Sequence, residues 1–224
     1  MTWRSTTVRR ARAPRVVTLL VALVCAGALA SCSHGSPRGT ASPITKAAPR
    51  TPVLVTIGSN ATFGNPDYPL TDSWPQKLYH SSFPQSAVLV NAADRAAVTV
   101  NSAISVQVPL AIEERATVVG VWLGDIDLAT GIPAAIFETR LDDLVKRLRA
   151  SGARVLLGNL STAQPGAADY DTAIANVARA RGATLVDIAA ALSATPDIGP
   201  SSSSMTPTIS GRVADAFSVA LAGS

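Results

Sequence analysis

Residues 51–224 predict one α/β domain, a three-layer α/β/α sandwich around a central parallel sheet of about five strands. Three observations lead there. Five short apolar runs rich in Val, Leu and Ile lie at 53–57, 87–90, 117–123, 154–157 and 184–186. Helical patterns lie between or after them. The runs are nearly continuous in apolar character and do not alternate, which suits parallel strands buried on both faces. A stretch of some 174 residues is long enough to bury one substantial core.

The elements follow in order. Val53-Leu54-Val55-Thr56-Ile57 is a strand that runs into Gly58 and a glycine-punctuated loop. Segment 72–79 reads as a helix, with Pro75 near its beginning. Strand-like runs 87–90 and 117–123 follow. Segment 137–150 carries the clearest helical signal: Leu141, Leu144, Val145 and Leu148 recur at i, i+3, i+4 and i+7. Its acidic residues sit early (Glu138, Asp142, Asp143) and its basic ones late (Lys146, Arg147, Arg149), matching the helix dipole. Ser151-Gly152 supplies a stop. After run 154–157, segment 169–181 reads as a helix closed by Gly182. The last helix spans 207–221, with Thr206 as N-cap and Pro207 in its first turn.

The segment before this domain reads as an address and a tether. Arg4, Arg9, Arg10, Arg12 and Arg15 form a basic start. Residues 16–30 are uncharged and mostly apolar, short for a membrane span and fitting a signal-peptide core. They end in Leu29-Ala30-Ser31-Cys32, which resembles the bacterial lipobox, so residues 1–31 are expected to be removed and Cys32 to carry acyl chains such as palmitate. A plain secretory signal with an incidental cysteine is the alternative. Residues 32–50, rich in Ser, Thr, Pro, Gly and Ala, read as a flexible tether with a span of roughly 20–25 Å. The expected location is the outer face of the bacterial cytoplasmic membrane, with that membrane as a partner through the lipid anchor.

Charge and cysteine usage narrow the function further. The chain carries 19 basic and 15 acidic side chains, a net charge of +4. Five of the arginines precede Cys32, which leaves 14 against 15 after processing. From residue 51 onward the balance is 11 against 15, a net charge of −4. Nucleic-acid binding therefore has no electrostatic support. Cys25 lies inside the apolar core and leaves with it, so no disulfide is available and packing alone must hold the domain.

The carboxyl ends of parallel strands are where ligands gather in such folds. Gly58-Ser59-Asn60, at the end of the first run, resembles the first block of the SGNH (GDSL) hydrolase family, Gly-Asp-Ser-x-x-x-Gly. Asn91 followed by Ala96 resembles the second block, a strand end in Asn with a glycine five residues later. Gly124-Asp125-Ile126-Asp127-Leu128 resembles Gly-x-Asn-Asp-Leu, and Gly158-Asn159-Leu160 a strand end common in bacterial members. Met205-Thr206-Pro207-Thr208 with Gly211 resembles the last block, Asp-x-x-His-Pro-Thr. The order and spacing agree over nearly all of 51–224, and the resemblance implies a flavodoxin-like sandwich of the SGNH hydrolase type.

It also implies ester or acyl hydrolysis, and that chemistry needs particular groups. A serine must attack, an imidazole must take its proton, donors must hold the oxyanion, and a carboxylate must orient the imidazole. Here the serine position holds Asn60, the aspartate beside it Ser59, the second-block glycine Ala96, the third-block asparagine Ile126, the histidine Thr206 and its aspartate Ser203. Ser59 is one residue from the nucleophile position, but neighbours at a strand end point in opposite directions. His80 falls at the end of the first long helix, roughly 13 Å along the chain from its start. No catalytic residue is assigned; Ser59, Asp125 and Asp127 are the residual candidates.

Ser59, Asn60, Asp94, Asp125 and Thr206 are the candidate binding residues at the emptied pocket. Asp94, Asp125 and Asp127 allow three readings: an oxygen-ligand site for calcium or magnesium, paired carboxylates doing acid–base work, or a structural Asp127 bonding loop amides with the other two solvated. No cofactor is read. Trp74 reads either as core or as a platform for sugar stacking, and Trp122 as core. The sequence thus leads to an extracytoplasmic, non-catalytic binding protein whose partner is an envelope glycan, lipid or protein. The alternatives are a hydrolase with a non-standard site and a structural or assembly lipoprotein.

Overall fold

The computed structural model describes residues 50–160, 164–193 and 205–223. Five strands form one sheet: β1 (Val53–Gly58), β2 (Val88–Asn91), β3 (Val118–Trp122), β4 (Arg154–Gly158) and β5 (Thr184–Val186). Every pairing is parallel and the order is β2-β1-β3-β4-β5. The helices are α1 (Asn60–Phe63), α2 (Trp74–Ser82), α3 (Val100–Glu113), α4 (Asp125–Ala129), α5 (Ala134–Ala150), α6 (Ala167–Arg181), α7 (Ile188–Leu192) and α8 (Pro207–Ala222).

The apolar strands feed two cores because successive side chains leave opposite faces of the sheet. Val55, Ile57, Val119, Val121, Val155 and Leu157 meet α3, α5 and α6 on one face. Leu54, Val118, Trp122, Leu156 and Val186 meet α2, α7 and α8 on the other. On the first face Phe137 stacks on Tyr170 at 4.3 Å, joining α5 to α6. On the second, Trp74 stacks on Phe217 at 4.4 Å and 7°, joining α2 to α8. Trp74 is fully buried, so the reading of it as a sugar platform is corrected to core.

Two other expectations change. The helix expected from residue 72 begins at Trp74; Ser73 is extended (ψ 150°) ahead of it, and Asp72 sits in a preceding 3₁₀ turn, paired with Lys77 at 3.2 Å. The 14-residue α3 was not anticipated at all. Its valines and isoleucines favour strands, and Pro109 lies inside it, so its pattern does not announce a helix. Its start is nevertheless legible in hindsight: the Thr99 side chain accepts from the Ser102 amide.

That helix supplies the contact on which the sheet's carboxyl edge depends. Gly58 pairs with Trp122 on one side. On the other side β2 ends at Asn91, opposite Thr56, so Gly58 has no strand partner there. Gln107 from α3 fills the place of one. The Gly58 amide donates to Gln107 Oε1 at 3.0 Å, and Gln107 Nε2 donates to the Gly58 carbonyl at 3.0 Å. The contact is buried, and buried backbone groups must be paired.

Replacing Gln107 by Leu strands one buried N–H and one C=O. The expected cost is about 2–4 kcal/mol, read as a lowered urea midpoint at unchanged slope. Stability within ~0.5 kcal/mol of wild type would show that the clasp carries little.

Candidate functional site

The site begins where β1 ends. Gly58 is required there: a Cβ would overlap the Thr62 side chain and come within 2.9 Å of the Trp122 carbonyl. Ser59 is extended (φ −96°, ψ −157°) and only 1 % exposed, and α1 starts at once with Asn60. The Ser59 carbonyl accepts from the Thr62 and Phe63 amides.

Two further side chains, of Asn91 and Asp127, pin this edge. Asn91, at the end of β2, accepts from Thr56 Oγ1 at 2.9 Å and donates to the carbonyls of Thr62 (3.2 Å) and Phe63 (3.4 Å), holding α1 against the sheet. Asp127 is fully buried and accepts from the Val100 amide at 2.9 Å, which ties α4 to the start of α3. Its other oxygen, Oδ1, has no partner among the described residues, and burial raises its carboxyl above the usual range. Gly124 adopts φ +120°, and so turns the chain from β3 into α4 in a conformation side chains rarely take.

Asp125 is one of the candidate binding residues, and of the readings of its surroundings the solvated one does not hold. It is half-buried and not freely solvated. Its Oδ2 accepts from Ser59 Oγ at 3.3 Å. Burial pushes its carboxyl up to about 6, opposed by the Ile126 amide and the Ser59 hydroxyl and assisted by the charge on Asp127. Asp94 is exposed and accepts from the Ala96 amide at 3.0 Å, a local turn contact. It does not join Asp125 and Asp127 in a ligand set: among the described residues no group of three or more His, Cys, Asp or Glu side chains is assembled for a metal ion.

The positions that would carry hydrolysis are otherwise engaged. Ser59 is buried and its hydroxyl is shared between Asp125 and Asn60 Oδ1 (3.4 Å). Asn60 Oδ1 also accepts from the Ala61 amide at 2.8 Å. That bond fixes the amide's orientation, since a flipped side chain would set NH₂ against N–H. The half-buried Asn60 therefore turns its NH₂ away from these contacts, and no acceptor among the described residues takes it. The Ala96 N–H, the surviving backbone donor of the second block, is taken by Asp94. Ile126 offers only a half-buried aliphatic side chain. Thr206 Oγ1 caps α8, accepting from the Ile209 amide at 3.4 Å. His80 is exposed at the last turn of α2, its ring 5.3 Å from that of Tyr79. Ser203 and Cys32 lie outside the described residues.

The structure adds residues that the sequence did not single out. Gln107 went unnoticed because its helix did. Phe63 closes α1 with the Arg95 guanidinium 4.7 Å over its ring, which brings the loop after β2 to the site's margin. No short-range pattern connects residues 32 positions apart in this way.

The family model for the GDSL-like lipase/acylhydrolase family matches residues 55–206. Among solved structures, the chain is similar to TesA (18 % identity, TM-score 0.62, covering 75 % of this chain and 99 % of that one). It is similar to a psychrotrophic esterase from Pseudoalteromonas sp. (20 % identity, TM-score 0.59, 76 % and 99 %). It is also similar to an acetylxylan esterase from Geobacillus stearothermophilus (16 % identity, TM-score 0.58, 72 % and 91 %). At these identities the likenesses speak for the fold. No curated protein matches the sequence.

Asp125 generates a pH prediction. Its folded pKa of about 6 stands above the ordinary 3.8, so the native state holds the proton more tightly than the unfolded chain. Its contribution to stability therefore falls as pH rises from about 4 to about 6 and stays low above that. Asp125→Asn removes the penalty. At pH 7.5 it should stabilise the domain by about 1–3 kcal/mol, the upper figure being the undiscounted shift. At pH 4 the two proteins should unfold alike in urea. A variant less stable than wild type at pH 7.5 would mean that the bonds the carboxylate accepts outweigh its burial.

Proposed function

The chain belongs to the GDSL-like lipase/acylhydrolase family, and from that premise we propose that it is a non-catalytic member, a binding or accessory lipoprotein of the bacterial cell envelope. The observation that carries this reading is the state of the nucleophile and base positions. Asn60 stands where a hydroxyl would attack, and an amide is not a nucleophile. Thr206 stands where an imidazole would take the proton, and its hydroxyl caps a helix. The neighbouring Ser59 cannot substitute, because it is 1 % exposed and its hydroxyl is already committed.

The family scaffold around these positions is retained, which supports selection for a bound ligand or partner over simple decay. The ligand would be an envelope glycan, lipid or protein. The lipid anchor at Cys32 would hold the domain near the outer face of the cytoplasmic membrane, with residues 32–50 as tether. A second reading, hydrolysis by a non-standard site, is favoured by one feature: the half-buried Asp125, whose carboxyl titrates near 6, is of a kind used for acid–base work.

Two experiments test these readings. The domain should resist a fluorophosphonate probe and leave short-chain nitrophenyl esters intact. Stoichiometric serine labelling, or turnover abolished by Ser59→Ala, would overturn the non-catalytic reading; turnover abolished by Asp125→Asn and spared by Ser59→Ala would install the second. For the anchor, cells expressing the full chain should incorporate an alkyne-palmitate label, and Cys32→Ser should abolish it and release the protein from membranes. Equal labelling of that variant would refute the anchor.

A further inference from the structure

The outer edge of β2 is unguarded. Among the described residues β2 pairs with β1 alone. None of its residues is fully buried, whereas β1, β3 and β4 are buried almost throughout. Val88 is 44 % exposed. Edge strands are ordinarily blunted by charges, prolines or bulges, and Val88-Leu89-Val90-Asn91 has neither charge nor proline. The opposite edge, β5, is only three residues long and runs into Asp187.

The open backbone groups on this edge are few and defined. The Val88 amide donates to the Pro52 carbonyl and the Ala92 amide to the Thr56 carbonyl, both at 2.9 Å. Residues 88, 90 and 92 therefore address β1, and alternation turns the N–H and C=O of Leu89 and Asn91 to the open side. The open stretch does not extend back to Ala87. Its amide donates to the Pro84 carbonyl, and its own carbonyl accepts from the Tyr79 hydroxyl at 2.8 Å.

We propose that β2 pairs antiparallel with β2 of a second copy of this chain, about a two-fold axis at Val90. Leu89 then lies opposite Asn91 of the second copy and exchanges both backbone bonds with it, and Asn91 does the same with Leu89. Every open N–H and C=O of the edge is used. An axis at Leu89 would instead set Asn91 against Ala87, whose groups are already taken. The flank is complementary as well. α5 packs against both α3 and α6, and Gln107 of α3 bonds Gly58 on the β2 side, so α3 is the outermost helix beside β2. From Val100 to Ile112 it carries no charge, and Val106 is 68 % and Ile112 41 % exposed. The axis lays the two α3 helices antiparallel on one face. Glu113 and Glu114 at the end of one then lie toward the N-terminal, positive end of the other.

A second copy fits so short a ladder better than a flexible peptide. Ordering a free chain costs about 1–2 kcal/mol per residue, more than these few hydrogen bonds offset. In two folded copies both strands are already ordered. The pairing also reaches the site, because the Asn91 side chain holds α1 while its backbone joins the second copy. It holds whether or not that site is catalytic.

Val90→Cys tests the register in cells expressing the full chain. Directly opposed residues of a non-hydrogen-bonded antiparallel pair lie about 4.5 Å apart at Cα, within disulfide range. Mild oxidation should give a species of doubled mass whose linked peptides join residue 90 to residue 90. Leu185→Cys, on the β5 edge, should give none. In the purified wild-type chain, raising the concentration about a hundredfold should slow exchange of the Leu89 and Asn91 amides about tenfold and leave Leu185 unchanged. Rapid exchange at Leu89 and Asn91 at both concentrations would overturn the proposal, whatever the fate of the cysteine variant. So would linkage of residue 90 to a different protein, or equal linkage at 90 and 185.

Discussion

Gln107 does the work of a missing strand. At the last residue of β1 the sheet runs out on one side, and two buried backbone groups need partners. A carboxamide supplies both, because it carries one acceptor and one two-proton donor at the separation a neighbouring peptide would have. That contact sets where Gly58 lies, and hence where Ser59 leaves the sheet and α1 begins. Asn91 fixes the far end of α1. Asp127 ties the third-strand loop to the helix that bears Gln107. The result is a rigid edge built from side-chain amides and carboxylates, on which reactive groups would be presented.

On the proposed reading the reactive groups are replaced, by Asn60 at the nucleophile position and Thr206 at the base position. The family motif places a carboxylate next to the nucleophile; this chain has Ser59 there, and Asp125 brings a carboxylate to that serine from the neighbouring loop. The nucleophile position has become an amide whose acceptor side is satisfied internally and whose donor side is not. What is found is an Asn60 carbonyl held by the Ala61 amide and an Asp125 carboxylate bonded by Ser59, with a penalty in stability for the buried charge of Asp125. Such a penalty is common at sites kept for binding, where stability and function pull against each other.

The layers of the fold were readable from the sequence because their signals are local and repeated. Apolar runs such as Leu54-Val55 mark buried strands, and the Leu141, Leu144, Val145, Leu148 stripe marks the buried face of α5. The family was readable too, because the blocks occur in the family's order along the chain. What was not readable depends on contacts between distant residues. Gln107 sits on a helix whose β-branched side chains and internal Pro109 hide it. The Asp125–Ser59 bond spans 66 positions, and its consequence for Asp125 follows only from burial. Trp74 shows the same limit: at the start of a helix it reads equally as core or as exposed platform, and only its stacking on Phe217 decides for core.

On the proposed reading Asn60, at the nucleophile position, is an oriented hydrogen-bond donor on the family scaffold. Amide hydrogen exchange followed by NMR tests it residue by residue. The account predicts slow exchange at the Gly58 and Ala61 amides, which donate to Gln107 and Asn60, and rapid exchange of the Asn60 side-chain NH₂, which no acceptor among the described residues takes. Rapid exchange at Gly58 and Ala61, or a protected Asn60 NH₂, would contradict it.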